Sequence, residues 1–359
     1  MSTLPGSTSE PLQPREAHIL IVGDPKDPNN PSAWPAGTTV AATIQDPADI
    51  ASIPAASLSK INVLFCSSFL GSSASSTVAA LLPSLPALQW LHQRSAGVEH
   101  TLSPTLAAHP CAMTNARGVF SSSLAEYCLM ACAYFAKDVP RLMRQKEAKN
   151  WEKYNVRELR GATLGVVGLG SIGGACAKLA NAYGMRVVGV RRNPASSAGD
   201  PTVDKCYGND GVADLFKESD YVVCAAPLTP DTRGLVTAEA MAGAKPGCVL
   251  INLGRGPVVD EAGMIAALKS GALSGLALDV FSTEPLPADH ELWQLDNVLV
   301  SPHNMDQTAT FMREASEVRE ESKSRKESAA NFAEVLLPKF LEGVDPHELP
   351  NQVNKNLGY

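Results

Sequence analysis

The sequence lacks several features that would decide its class at once. No apolar run approaches the ~20 residues that cross a bilayer. The 359-residue chain carries 30 Lys and Arg against 37 Asp and Glu, a net charge of −7. That leaves no basic field to attract nucleic acid or anionic lipid, so no nucleic-acid or membrane partner is expected. Cysteine is scattered over positions 66, 111, 128, 132, 176, 206, 224 and 248 without one C-x-x-C pair. This argues against a disulfide framework and a thiolate zinc site. Cys128 and Cys132 share a helix face, where packing explains them. The seven histidines show no metal spacing, and no metal is expected. Residues 1–16 are polar, rich in Pro and Ser, and without a hydrophobic segment; they read as a disordered tail and not as a signal or transit peptide. Asn356-Leu-Gly-Tyr359 does not read as a retention or peroxisomal signal. The expectation is a cytoplasmic protein with reduced thiols.

What is there is a globular composition, 45% hydrophobic and 19% charged, long enough for two domains. Apolar runs at His18–Val22, Val40–Ile44, Ile61–Cys66, Leu88–His92 and Met113–Asn115 read as strands, with a helix over Ser73–Leu82. They predict one α/β unit with a parallel sheet. Ser121–Ala136 is a long apolar helix with Ser candidates for its cap. The charged stretch Lys137–Glu158 reads as a solvated connecting helix. From residue 162 onward, strands at Ala162–Val167, Arg186–Val190, Tyr221–Ala225, Val249–Asn252, Gly275–Asp279 and Val298–Ser301 alternate with helices, the pattern of a doubly wound sheet. Phe311–Leu341, with the polar middle Arg319–Glu327, reads as a long solvated helix.

The most informative stretch is Gly165-Val-Val-Gly-Leu-Gly-Ser-Ile-Gly173. Gly168, Gly170 and Gly173 have the spacing G-x-G-x-x-G between a strand and a helix. The first glycine allows a tight turn, the second a close approach of backbone to pyrophosphate, the third close packing of helix on strand. The amides of Ser171 and Ile172 at the helix start face the anion, aided by the helix dipole. After the second strand, where NAD sites usually place an acid for the ribose hydroxyls, stand Arg191 and Arg192. Two guanidiniums suit a 2′-phosphate, so NADP(H) is the preferred cofactor, with NAD(H) second.

Three polar residues follow late strands at turns rich in Gly or Pro: Arg255 in Asn-Leu-Gly-Arg-Gly-Pro, Glu284 in Ser-Thr-Glu-Pro, and His303 in Ser-Pro-His-Asn. The flanking glycines of Arg255 are expected to bring its backbone close to a ligand. The trio fits reduction of a 2-keto acid. A guanidinium anchors the carboxylate and polarises the carbonyl, histidine supplies a proton near neutral pH, and a neighbouring carboxylate favours the imidazolium.

These residues, with Ser95-Ala-Gly-Val98, Thr114-Asn-Ala-Arg-Gly118, Ala125-Glu-Tyr127, Pro227-Leu-Thr229, Asp231-Thr232, Leu278-Asp-Val-Phe281, Ser301-Pro-His-Asn304 and the terminal Asn351–Lys355, resemble the D-isomer-specific 2-hydroxyacid dehydrogenases, as in glyoxylate and hydroxypyruvate reductases. The resemblance implies two Rossmann-like or flavodoxin-like doubly wound parallel-sheet domains with the cleft between them. The substrate domain would be 17–122 plus 325–359, and the inserted nucleotide domain, with its linker helices, 123–324. It implies that Arg255 binds the substrate, that His303 is the acid/base charged by Glu284, that Asp279 holds the nicotinamide carboxamide, and that Ser95, Ala96, Gly97 and Val98 help hold the substrate carboxylate. Pro227 and Thr232 would border the cofactor, and a homodimer is expected. Asp27–Ala36 and Phe69–Ser76 are expected beside the substrate pocket. Met305 stands where many relatives have a small residue. A nucleotide-sensing corepressor-like scaffold of the same fold is the alternative, and a methyltransferase a more distant one in which the Arg–Glu–His series has no role.

Overall fold

Short apolar runs bounded by Gly, Pro and Asn become buried parallel strands, because strands covered on both faces need no polar alternation. The computed structural model describes residues 13–27, 30–31, 34–66, 74–308 and 332–359. The chain divides into two compact units, Met1–Val119 with Thr310–Tyr359, and Phe120–Ala309.

The first unit holds strands β1 (Ala17–Val22), β2 (Thr38–Ile44), β3 (Val63–Cys66), β4 (Trp90–Gln93) and β5 (Ala112–Asn115). Their order is β2-β1-β3-β4-β5, parallel throughout. Helices α1 (Ala55–Leu58), α2 (Ala74–Leu81) and α3 (Pro104–Ala108) accompany them. Side chains alternate between the two sheet faces. Leu20, Leu64, Leu91 and Met113 pack with Val78 and Leu81 of α2 and Leu106 of α3. Ile19, Ile21, Phe65 and Trp90 instead meet Phe332, Leu336, Leu337 and Phe340 near the other end of the chain. Each fully buried side chain of this kind is worth about 1.5–3 kcal/mol. The same face carries His92, wholly buried, its ring centroid 4.9 Å from that of Phe332 and 5.9 Å from that of Phe65. The tail closes the β5 edge. Gln352 bridges Thr114 antiparallel, and the Val353 amide donates to the Met113 carbonyl at 2.8 Å. Lys355 Nζ donates to the carbonyls of Leu106, Cys111 and His109.

The second unit opens with α4 (Ser121–Ala136) and α5 (Val139–Glu147). Seven parallel strands follow: β6 (Thr163–Val167), β7 (Arg186–Val190), β8 (Lys205–Tyr207), β9 (Tyr221–Cys224), β10 (Cys248–Asn252), β11 (Leu273–Leu278) and β12 (Val298–Val300). Between them lie α6 (Ser171–Ala182), α7 (Val212–Glu218), α8 (Ala238–Ala242) and α9 (Glu261–Ser270). The strand order β12-β11-β10-β9-β6-β7-β8 reverses direction at β6, which lies between β7 and β9. Ligands of doubly wound sheets bind at the carboxyl ends of strands at such a switch point. Small residues on α6 let it pack on α4, and the thiols of Cys128, Cys132 and Cys176 meet in that seam, a packing role.

Four local expectations change. No serine caps α4; the helix starts at Ser121, so its N-cap is Phe120, without a side-chain bond, and Ser123 Oγ donates across to the Met305 carbonyl at 2.5 Å. The charged stretch is helical only over Val139–Glu147, started by Asp138, whose carboxylate accepts from the Arg141 amide. The three-residue strand β8 is additional; it sits half-exposed on the sheet edge and carries no apolar run. Of Phe311–Leu341, residues 311–331, including the charged middle, lie outside the described residues. Phe332–Leu336 form a π-helical turn and Leu337–Leu341 an α-helix, and their apolar residues are buried instead of solvated. Residues 28, 29, 32, 33 and 69–73 of the two expected pocket borders also lie outside the described set.

Candidate active site

The loop after β6 fits a dinucleotide by its shape. Gly168 has φ +96°, and a Cβ there would lie 2.7 Å from the Ala226 backbone after β9; one on Gly173 would lie 2.2 Å from the Gly168 carbonyl. At Gly170 a Cβ would meet nothing within 4 Å. Backbone is therefore tight beneath the loop and open above it. Helix α6 has no side-chain cap, and its first bond runs from the Gly174 amide to the Gly170 carbonyl at 2.8 Å. The amides of Ser171, Ile172 and Gly173 are left for an outside acceptor, as an anion at a helix start requires. Beside this loop, Thr232 Oγ1 donates to the Pro227 carbonyl at 2.6 Å and accepts from the Thr229 amide at 2.8 Å. It fixes the turn after β9. At the end of β7, Arg191 Nη1 donates to Ser197 Oγ at 3.1 Å, and Arg192 is exposed.

The turns after β10, β11 and β12 carry the polar trio. Asn252 ends β10. Its Oδ1 accepts from the Gly254 amide at 3.1 Å and its Nδ2 donates to the Arg255 carbonyl at 3.2 Å. This stapled turn presents Arg255, half-buried, with Nη1 donating to the Gly254 carbonyl at 2.8 Å. The flanking glycines are needed by the protein's own packing: a Cβ on Gly254 would lie 2.6 Å from the Ala226 carbonyl oxygen, one on Gly256 2.0 Å from the Phe281 carbonyl carbon.

Glu284 Oε1 accepts from the Phe281 amide at 2.9 Å, and Oε2 lies 2.8 Å from His303 Nδ1. The hydrogen bond and charge of Glu284 push the His303 pKa above its ordinary value, against partial burial and the charge of Arg255. Partial burial works to raise the Glu284 carboxyl, but the hydrogen bonds of His303 and the Phe281 amide, with the charges of His303 and Arg255, bring it below its ordinary value. The pair thus favours imidazolium and carboxylate together.

His303 sits at φ +52°, a left-handed conformation uncommon outside glycine and held only when its surroundings enforce it. Asp279 enforces it. Its Oδ1 accepts from Ser301 Oγ at 2.7 Å and from the Asn304 amide at 3.0 Å, and its Oδ2 from the Met305 amide at 3.4 Å. Burial raises the Asp279 pKa while these donors oppose the rise. Asn252 and Ser301 were not among the sequence candidates. Each lay inside a quoted motif, as a short polar residue at a strand end.

In the first unit, Ser95–Val98 follows β4 with a one-sided arrangement. Every carbonyl has a donor: Ser95 from the Ala116 amide at 3.2 Å, Ala96 from Asn115 Nδ2 at 2.6 Å, Gly97 from Ser95 Oγ at 2.7 Å, and Val98 from the Thr101 and Leu102 amides at 3.0 and 2.8 Å. None of the four amides donates to an acceptor among the described residues. A row of backbone N–H groups with no acceptor among the described residues offers donors to an anion.

Residues 129–304 match the model of the D-isomer specific 2-hydroxyacid dehydrogenase NAD-binding domain. A glyoxylate reductase of Korarchaeum cryptofilum is 31% identical over 285 residues, 76% of this chain and 79% of that protein. The chain belongs to the D-isomer specific 2-hydroxyacid dehydrogenase family. Its nicotinamide-dinucleotide-binding domain is the second unit's sheet with the Gly168–Gly173 loop. A D-3-phosphoglycerate dehydrogenase of Methanocaldococcus jannaschii is 35% identical over 197 residues, 53% of this chain but only 36% of that longer protein. Among solved structures, a D-isomer specific 2-hydroxyacid dehydrogenase from Xanthobacter autotrophicus Py2, in complex with NADPH and MES, superposes with a TM-score of 0.69 at 26% identity, over 95% of this chain and all of that one. Membership in this dehydrogenase family accounts for both parallel sheets. Among the described residues no helix is long and apolar enough to cross a membrane, and no cluster could hold a metal ion.

Proposed function

We propose that the protein reduces a small 2-keto acid, glyoxylate or hydroxypyruvate, to the D-2-hydroxy acid with NADPH. The observation that carries this is the His303 Nδ1–Glu284 Oε2 pair at 2.8 Å, within the electrostatic reach of Arg255. Arg255 binds the substrate carboxylate and polarises the carbonyl oxygen. The Ser95–Val98 amides would be donors to a substrate carboxylate, as the family resemblance implies. Because Glu284 occupies Nδ1, the proton for the carbonyl oxygen leaves from Nε2 of His303. The neutral ring that remains keeps its proton on Nδ1, which donates to Glu284 Oε2. The dinucleotide, when bound, supplies the hydride to the carbonyl carbon.

Gly168, Gly170, Ser171, Ile172 and Gly173 would cradle its pyrophosphate, with Pro227 and Thr232 beside them and Asp279 at the nicotinamide end. Arg191 and Arg192, with no acid at the end of β7, support NADPH over NADH, as does the NADPH complex of the Xanthobacter relative. A homodimer fits the apolar side chains that α5 and the following segment leave exposed, Leu142, Met143 and, at 94% exposure, Trp151.

Steady-state reduction of a 2-keto acid panel with each dinucleotide tests the reading. NADPH turnover with at least tenfold higher kcat/KM than NADH is expected. No turnover of any keto acid refutes the activity, and equal or better use of NADH refutes the cofactor preference. His303→Gln should lose most reduction and keep NADPH binding.

A further inference from the structure

The Ser95–Val98 amides stay together only if the loop's carbonyls stay held, and three of the four are held from outside the loop, the Gly97 carbonyl being held by Ser95 Oγ. The central hold is Asn115, at the end of β5 and almost fully buried. Its Nδ2 donates to the Ala96 carbonyl at 2.6 Å and its Oδ1 accepts from the Arg117 amide at 3.3 Å. The next residue's amide, Ala116, holds the Ser95 carbonyl. The segment Asn115–Arg117 is itself clamped by the C-terminal tail. Asn351 Nδ2 donates to the carbonyls of Arg117 at 2.9 Å and Asn115 at 3.3 Å, and the Asn115 amide donates to the Asn351 carbonyl at 3.3 Å. Asn351 sits at φ +61°, a conformation that asparagine tolerates better than most residues.

We infer that Asn115 is a positioning residue for substrate-carboxylate binding, and that Asn351 of the C-terminal tail holds Asn115 in place. The inference rests on the proposed reading of the Ser95–Val98 loop. Without the Nδ2 donor, the Ala96 peptide plane is free to rotate. Its carbonyl oxygen then reaches the side where an anion must sit, and the order of the four amides is lost. Asn115 touches neither substrate nor cofactor in this scheme. Its loss should therefore weaken keto-acid binding and leave the chemical step and the dinucleotide alone.

The test uses the full chain with NADPH, glyoxylate as substrate and oxamate as a non-reducible carboxylate probe. Asn115→Asp keeps the shape and the acceptor for the Arg117 amide but removes the donor to Ala96. Asn351→Gly removes the side-chain clamp and tolerates the positive φ. Asn115→Asp should raise the glyoxylate KM and the oxamate Ki together by about tenfold, the equivalent of one hydrogen bond, and Asn351→Gly by about threefold. The kcat and the NADPH KM should stay within about twofold. Unchanged KM and Ki in both variants overturn the inference with the functional reading intact. So does a loss shared equally by kcat, NADPH binding and thermal stability. If Asn115→Asp does not fold, Asn351→Gly alone decides. Wild-type protein that neither reduces glyoxylate nor binds oxamate overturns the functional reading itself, and the inference with it.

Discussion

Replacing His92 by Phe should flatten the acid side of the first unit's stability profile. His92 is fully buried among Phe65, Trp90 and Phe332. Its Nδ1 lies 2.8 Å from Thr114 Oγ1, which also accepts from Trp90 Nε1, and its Nε2 has no partner among the described residues. Burial lowers its pKa from 6.5 to about 3. The unfolded chain therefore takes up a proton below pH 6.5 that the folded chain refuses until about pH 3. Stability is full above pH 6.5 and is lost as pH falls toward 3, by about 1.4 kcal/mol per unit, or about 2 kcal/mol at pH 5. His92→Phe removes this titration. At pH 7 the lost bond to Thr114 (about 1 kcal/mol) is offset by removal of an unsatisfied buried nitrogen of similar cost. The assay is urea unfolding at pH 5, 6 and 7, read by Trp34 and Trp90 fluorescence. The other two of the four tryptophans, Trp151 and Trp293, are both exposed and would be replaced by Phe. Wild type should lose about 2 kcal/mol more than the variant between pH 7 and 5. Parallel pH profiles in the two proteins refute the reasoning.

Glu284→Gln should lower kcat/KM for keto-acid reduction about 100-fold with NADPH affinity unchanged. If His303 is the proton donor proposed above, reduction needs its imidazolium, whose pKa Glu284 raises, so activity should persist to higher pH in wild type, and in the variant the alkaline decline should move to lower pH. An alkaline limb that stays in place in the pH–rate profile contradicts the assignment. Lys355→Met should destabilise the first unit by about 2–3 kcal/mol, since one ammonium holds three backbone carbonyls and hydrogen bonds from charged donors are individually strong. Urea unfolding with the same tryptophan probes measures it, and a change under about 0.5 kcal/mol contradicts it.

The central strands were legible because burial on both faces leaves unbroken apolar runs, as in Val249–Asn252 and Tyr221–Cys224. The glycine loop was legible because backbone lies too close to Gly168 and Gly173 for any side chain. Residues whose roles depend on distant partners were not. Nothing near Ser121 says that the helix cap will fall one residue ahead of its serines or that Ser123 will reach Met305 on a turn far along the chain. The polarity of the Ser95–Val98 loop is set by Asn115 and Ala116 from the neighbouring strand's exit. Resemblance marked Asp279 as a cofactor contact; its hold on the Ser301–Met305 turn emerges only when β11 and β12 lie side by side. Arg255 had the right neighbours for an unexpected reason, since Gly254 and Gly256 make room for adjacent turns.

The second unit is one continuous stretch of chain, whereas the first is closed by residues 332–353. On a ribosome the two therefore mature in the opposite order to their synthesis. Strands β1 to β5 emerge early, but the sheet face bearing Ile19, Phe65 and Trp90 has no cover until Phe332, Leu337 and Phe340 arrive, after the whole nucleotide-binding unit has been made. For that interval the nascent chain presents a large aromatic patch to water. The late segment is thus a self-supplied substitute for a chaperone's apolar surface, and truncations that remove it should send the protein into aggregates before they touch its chemistry.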